Sequence, residues 1–294
     1  MTAKRNSQDS ATATFLKARP RLFAAAYRML GTVSDAEDIL QDAFLRWQSV
    51  PHAEVHDPAG YLMRITTRLC LDHLKSARVR RESYPGEWLP EPMLTEDASE
   101  QLDHDVSLAL LLALETLSPL ERAAFLLHDI FDRPYPEIAA ALDRSPENCR
   151  QLAARARRKV RGLHPQRPER AKQGFALAEA FFKASRTGDT ARLTQMLAED
   201  VVLLSDGGGK ALATLNPIYG RDRVLRLSQG LARKASFEMP GQWRICQMNG
   251  LPAILHQGED GILQATALEI AKGKVTRLYV IRNPDKTRHL AKAL

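Results

Sequence analysis

Two sets of side chains in this sequence have the types and spacing to recognise a nucleic acid. In residues 145–162, SPENCRQLAARARRKVRG, the side chains Glu147, Asn148, Gln151, Arg155 and Arg158 share one face of a helix. Cys149, Ala153, Ala156 and Val160 recur on the other at spacings of four, three and four. Amides near the start of such a helix can bond base edges, and the guanidiniums, Arg150 among them, can pair with bases or phosphates further along. In residues 61–81, Arg64, Arg68, Leu71, Lys75 and Arg78 follow a four-three-four-three spacing, and the helix ends on Arg80 and Arg81. Such a cationic stripe suits a phosphate backbone. Tyr61, Thr67 and His73 add groups able to stack on or hydrogen-bond an unpaired base.

Positioning these groups requires short, well-delimited helices. Ser118, Pro119 and Glu121 supply an N-cap, a proline at the first helical position and a reach-back carboxylate, and Ser145-Pro146 repeats the cap. Between them, residues 137–142 make a short helix and 143–145 leave room only for a tight turn, so the stretch reads as a helix-turn-helix. Upstream, helices are expected over 15–30, from a cap at Ser34 with Glu37 at its third position, and over 61–81. The second carries an apolar stripe of Ala36, Ile39, Leu40, Ala43, Phe44 and Trp47. By periodicity alone its other face, with Glu37, Asp38, Gln41, Asp42 and Arg46, is an ordinary solvated one.

The chain of 294 residues carries a net charge of +7 and a pI near 9.4, enough length for two or three domains and a bias toward a polyanionic partner. The charge is bunched in residues 75–81 and 150–170, on the same predicted helices. Cys70, Cys149 and Cys246 are far apart and form no C-x-x-C, so neither a metal site nor a disulfide framework is expected, and a reducing cytoplasm is the expected location. No apolar run reaches membrane-spanning length, so no membrane partner is expected.

Residues 84–92, YPGEWLPEP, break all periodicity, and an acidic stretch follows over 96–105. This is a linker whose Trp88 and Leu89 are expected to dock on some surface, because a tryptophan among prolines is costly to leave in water. Beyond Pro165 and Pro168 the pattern changes: helices over 172–184 and 191–197, then strands over 201–205, 237–239, 243–248, 253–257, 262–270 and 275–281. Helices followed by sequential strands imply an α+β domain with a curved antiparallel sheet. Gly207-Gly208-Gly209-Lys210 lacks the phosphate-loop spacing and is followed by Ala211 where a magnesium-binding hydroxyl belongs, so it reads as a glycine turn.

With these residues assembled, the chain resembles an extracytoplasmic-function (ECF) sigma factor of the subgroup with a fused C-terminal SnoaL-like domain. Residues 22–48 resemble the sigma-2 segment that holds the β′ coiled coil of RNA polymerase, and 61–81 the adjoining element that melts and reads the minus-ten region. Residues 117–161 resemble sigma-4, which reads the minus-thirty-five region. The resemblance turns Asp38, Gln41, Asp42 and Arg46 into a polymerase-docking face. Three short motifs carry the subgroup: Trp88, Leu89, Pro90, Glu91 and Pro92; Asp206, Gly207, Gly208, Gly209 and Lys210; and Asn283, Pro284, Asp285 and Lys286. The last motif usually continues with leucine, where this chain has Thr287, which predicts a weaker packing contact.

The expected architecture is therefore multi-domain: two all-α sigma domains followed by an α+β cone of the nuclear-transport-factor-2 type. Its boundaries are a disordered tail at 1–13, sigma-2 at 14–84, a linker at 85–104, sigma-4 at 105–164, a linker at 165–170, the SnoaL-like domain at 171–288 and a tail at 289–294. The implied partners are core polymerase, through the β′ coiled coil and the β flap, and promoter DNA. The implied C-terminal role is regulation in cis. Cones of this type often enclose a pocket, with Asp206, Trp243, His256, Tyr279 and Arg282 as candidates to line it. No acid and base are paired there at a defined spacing, so no catalytic residue, metal or cofactor is expected, and an unknown small ligand is left open. The alternatives are a stand-alone DNA-binding regulator with a sensing domain and a SnoaL-type enzyme domain fused to a DNA-binding module.

Overall fold

The computed structural model describes residues 2–82, 84–95, 107–161, 171–234 and 242–294. The chain divides into two compact units, Met1–Arg80 with Ser99–His164, and Arg81–Ala98 with Pro165–Leu294. No helix among the described residues is long and apolar enough to cross a membrane.

The first unit is helical. Helix α1 (Thr2–Leu30) ends at Gly31, whose φ of 76° needs no Cβ and lets its N–H return to Tyr27 O at 2.7 Å. It begins well before the expected boundary: residues 2–13, read as a disordered tail, are helical, and Trp47 Nε1 donates to Ala11 O at 2.9 Å. Composition misses this because the segment is mostly polar, with Ala11 alone buried among its described side chains. Helix α2 (Val33–Gln48) is preceded by Thr32, not capped at Ser34; the Thr32 hydroxyl bonds Asp35 at 2.5 Å. Its Ala36, Ile39, Leu40, Ala43 and Trp47 are buried as the stripe requires, and Phe44 lies against Phe15. Helix α3 (Pro58–Glu82) starts where Asp57 accepts from Gly60 N.

Helices α4 (Leu108–Glu115), α5 (Pro119–Phe125), α6 (Tyr135–Leu142) and α7 (Pro146–Arg161) complete the unit. The capping box at Ser118 and Glu121 is present, and α5 runs on into one wide π-type turn, Leu126–Ile130. Between α6 and α7, Asp143 takes a left-handed conformation (φ 54°), which closes the tight turn.

The second unit packs α8 (Ala171–Thr187), α9 (Thr190–Met196) and α10 (Arg221–Lys234) on a six-stranded sheet. Its strands are β1 (Leu197–Asp206), β2 (Ile218–Tyr219), β3 (Trp243–Met248), β4 (Leu251–Gln257), β5 (Leu263–Ala271) and β6 (Lys274–Ile281), in the order β2-β1-β6-β5-β4-β3. The α+β class holds, but the sheet is mixed, because β1 pairs in parallel with β6 while every other pairing is antiparallel. Alternation within a strand cannot reveal this, since it fixes the face each side chain takes and not the direction of the neighbouring strand. The strand expected at 237–239 lies outside the described residues. Most of residues 289–294, expected as a tail, lies in a short 3-10 turn, Arg288–Ala293, with Leu290 buried and Ala293 O bound by Arg244.

Residues 84–95 belong to this second unit although they separate the two halves of the first in sequence. Leu94 bridges Met248 in antiparallel fashion, Thr95 N donates to Gln247 O at 2.9 Å, and Met93 exchanges bonds with Asn249.

Candidate nucleic-acid interface and linker clasp

On α7 the inward face is Cys149, Leu152, Ala153, Ala156 and Val160, while Asn148, Arg150, Gln151, Arg155 and Arg158 are all exposed. What seats the helix is Arg157, which the sequence reading did not single out. It donates to Asp129 at 2.6 Å, to the Tyr135 hydroxyl at 3.0 Å and to His128 Nδ1 at 3.2 Å. A second tie runs from Lys159 to Glu121 at 2.8 Å. Burial works to raise the Glu121 carboxyl, but Lys159 and the Ser118 N–H outweigh it and hold the group below the usual range. The outward face thus carries amides at its start and cations along its length on a helix fixed from below. Arg150 stacks over Tyr135 at 5.4 Å and pairs loosely with Glu147 at 3.4 Å.

On α3 the basic residues divide. Arg64 lies over the Tyr61 ring at 5.0 Å, and Lys75 is largely exposed beside Asp72. Arg68 is spent within the protein: its Nε donates to Ala141 O at 3.1 Å and its Nη2 to Ala140 O at 2.7 Å, binding carbonyls at the end of α6. Thr67 is buried and donates to Met63 O, so it offers nothing to a base. His73 faces Asp35 at 3.4 Å. The side chains of Arg78 and Arg80 lie outside the described residues. On α2, Asp38, Gln41, Asp42 and Arg46 form one exposed face.

The three short motifs meet inside the second unit. The Asp206 carboxylate, at the end of β1, accepts from four donors: the Tyr84 hydroxyl (2.5 Å), Gly208 N (3.0 Å), Leu89 N (2.9 Å) and Lys286 Nζ (2.7 Å). Lys286 also donates to Leu89 O (2.5 Å), and its ammonium stands over the rings of Trp88 (4.1 Å) and Tyr84 (5.0 Å). Burial, and then the Asp206 carboxylate, push the Tyr84 phenol well above its ordinary pKa, which keeps it a donor. Asn283 donates to the Tyr84 oxygen at 2.8 Å and caps the short helix α11 (Pro284–Thr287) by accepting from Asp285 N. His289 closes the far side, reaching Glu91 at 3.0 Å and Pro92 O at 2.8 Å. Tyr84 and His289 lie just outside the recognised motifs; an aromatic four residues before Trp88 in a proline-rich run was the available signal.

The glycines make the approach possible. Gly208 and Gly209 have φ of 60° and 70°, and a Cβ on them would stand 2.2 Å from Asn283 and 2.7 Å from Pro85. The turn reading of this run therefore fits, with Lys210 N returning to Gly207 O. Thr287, where the motif usually continues with leucine, is buried and its hydroxyl donates to Asn283 O at 3.2 Å.

Of the five residues proposed to line a cavity in the second unit, His256 and Arg282 do so. Asp206 is in the clasp, Trp243 packs on Phe182 at 5.4 Å, and the Tyr279 hydroxyl donates to Glu269.

The family model for sigma-70 region 2 matches residues 14–80 and that for sigma-70 region 4 matches residues 107–160. The chain is 37% identical over 284 residues to the ECF RNA polymerase sigma factor SigJ of Mycobacterium tuberculosis, covering 91% of this chain and 90% of that protein. It is 33% identical over 290 residues to the probable ECF RNA polymerase sigma factor SigI of the same organism, with 95% and 96% covered. The crystal structure of M. tuberculosis SigJ matches with a TM-score of 0.76 at 34% identity, over 94% of this chain and 98% of that one. With both sigma-70 regions in place and relatives of this similarity along nearly its full length, the chain belongs to the ECF RNA polymerase sigma factors.

Proposed function

We propose that this sigma factor, which as a member of its family binds core RNA polymerase and promoter DNA and performs no chemistry of its own, is controlled in cis by its C-terminal unit. In this reading Asp38, Gln41, Asp42 and Arg46 dock on the β′ coiled coil, and region 4 meets the β flap. Asn148, Gln151 and Arg155 read duplex bases, while Arg150 and Arg158 hold phosphates. Arg64, Arg68 and Lys75, with Arg78 and Arg80, hold the opened strand. On this reading Arg68 serves DNA only after releasing the α6 carbonyls, and its bonds to Ala140 and Ala141 support a closed form of the two readers.

One observation carries the regulatory part: the buried Asp206–Lys286 pair grips the backbone of Leu89 from both sides, at a point in the chain between region 2 and region 4. The clasp thereby holds part of the segment that joins region 2 to region 4, and its opening would lengthen the free chain between the two readers. Regulation then follows from the differential stability of the clasp in the closed and promoter-bound states. The test is transcription in vitro with core polymerase, comparing the full chain with one cut after Leu163 and with Asp206→Ala. Activities within about twofold of one another, below the roughly fivefold floor typical of allosteric coupling, reject control in cis. A gel-shift titration with and without core enzyme separates the sigma reading, which requires core, from a stand-alone regulator, which does not.

A further inference from the structure

The C-terminal unit holds a cavity of about 350 Å³ that neither the DNA-reading helices nor the clasp uses. Its walls are apolar, with Phe181 and Phe182 from α8, Leu227 from α10, and Ile254 and Leu278 from the sheet. One end is polar. There His256 of β4 is only 7% exposed, its ring lies 5.0 Å from Phe182, and its Nδ1 is buried with no hydrogen-bond partner. Arg282 lines the same end. Its Nη1 donates to Leu212 O at 2.6 Å and its Nη2 to Asp260 at 2.5 Å, while its Nε–H is buried with no acceptor.

Buried polar atoms of this kind are costly to leave unmade, and a native protein retains them where something else completes them. Burial, followed by the positive charges of Arg186 and Arg282, holds His256 neutral, with its pKa down to about 4. The neutral ring can therefore place its single N–H on Nδ1 and donate. Asp260 and Glu259 line the cavity too, but each is paired with an arginine, Arg282 at 2.5 Å and Arg186 at 3.4 Å, so the groups left with open bonds are the donors of His256 and Arg282, which ask for one anionic oxygen or a pair. A cation would face the same guanidiniums that suppress the imidazolium, and a wholly apolar guest would leave both donors open. The size lies at the small end of ligand pockets, about 300–1,000 Å³, which suits one or two rings.

We propose that this cavity binds a small, mostly apolar carboxylate of one- or two-ring size, its oxygens at Arg282 and His256 and its body between α8, α10 and the sheet. The site is not isolated from the clasp. The backbone N–H groups of Arg282 and Asn283 both donate to Asp206 O, at 2.8 and 3.1 Å, so the polar end of the cavity and the grip on Leu89 share one strand end. Binding itself goes beyond the regulatory reading, because it is measured without polymerase.

The probe is 2-naphthoate, titrated into the full chain by calorimetry, with 2-naphthalenemethanol as the uncharged control. Expected is saturable binding at one site with a dissociation constant below about 100 μM, and affinity about tenfold weaker for the alcohol. Ser228→Trp, at a half-buried α10 position on the cavity wall, should block binding while the circular dichroism spectrum stays unchanged. His256→Phe keeps the bulk, removes the donor and should weaken naphthoate about tenfold without affecting the alcohol. The proposal is overturned by no saturable heat up to about 1 mM, by equal affinities for acid and alcohol, or by undiminished naphthoate binding in either folded variant.

Discussion

The Asp206 carboxylate and the Lys286 ammonium meet at 2.7 Å with side-chain exposures of 0% and 7%, and they share a third residue: Asp206 takes the N–H of Leu89 and Lys286 donates to its C=O. A buried ion pair is weak evidence of net stability, but removing one partner strands the other. Asp206→Ala takes the buried counter-charge away from Lys286, and should cost about 3–5 kcal/mol in urea denaturation of the full chain. Lys286→Met should cost less, since Asp206 keeps three donors and the methionine can fill the space between the rings. In both variants, limited proteolysis within residues 84–95 should accelerate.

Gly208→Ala should disable the clasp without touching a charge. A left-handed φ costs a non-glycine residue about 1–2 kcal/mol, and the added methyl would displace Asn283, the residue that ties Tyr84 to α11. A lower melting temperature together with faster cleavage in 84–95 is expected; an unchanged melt would contradict the close approach at Gly208.

The two kinds of residue on α7 should separate in promoter assays with core polymerase. Arg155→Ala or Gln151→Ala should cost about 1–3 kcal/mol on the preferred sequence and relax selectivity at one position, whereas Arg158→Ala should weaken all sequences alike. Arg157→Ala should do neither selectively. Because Arg157 seats the helix on Asp129 and Tyr135, its loss should lower thermal stability and DNA binding together.

His256 gives a signed pH effect. Its folded pKa of about 4 lies below the unfolded value near 6.5, so the folded state binds fewer protons between the two. The contribution is fully present above about pH 6.5 and is lost as pH falls toward 4, up to about 3 kcal/mol. Urea midpoints of wild type and His256→Phe at pH 7 and pH 4.5 isolate it: the variant should lose less stability on acidification.

Much of the first unit was legible in the sequence because its signals are local. A capping box fixes the start of α5 at Ser118, and four-three-four spacing fixes which side of α7 is buried. What escaped depends on distant partners. Nothing near Arg68 announces that its guanidinium will be used by Ala140 and Ala141, since an exposed arginine on a basic stripe looks the same whether it meets a phosphate or two carbonyls. The start of α2 moved from Ser34 to Thr32, two residues upstream, where the Thr32 hydroxyl is held by the Asp35 side chain and not by a backbone N–H, so the cap signal at Ser34 misled. The motif residues were recognisable by resemblance, but their joint geometry was not. Asp206, Lys286 and Leu89 converge only once β1 lies parallel to β6 and the linker folds back on the sheet, and no periodicity encodes that pairing.

The bridge between Leu94 and Met248 has a consequence apart from control of transcription. Strand β3 ends the sheet, and an end strand offers unpaired amides and carbonyls on which a strand from another molecule can build. Residues 93–95 occupy those groups at the Met248 end. A chain whose linker comes away from the sheet should therefore be more prone to self-association through the freed edge of β3.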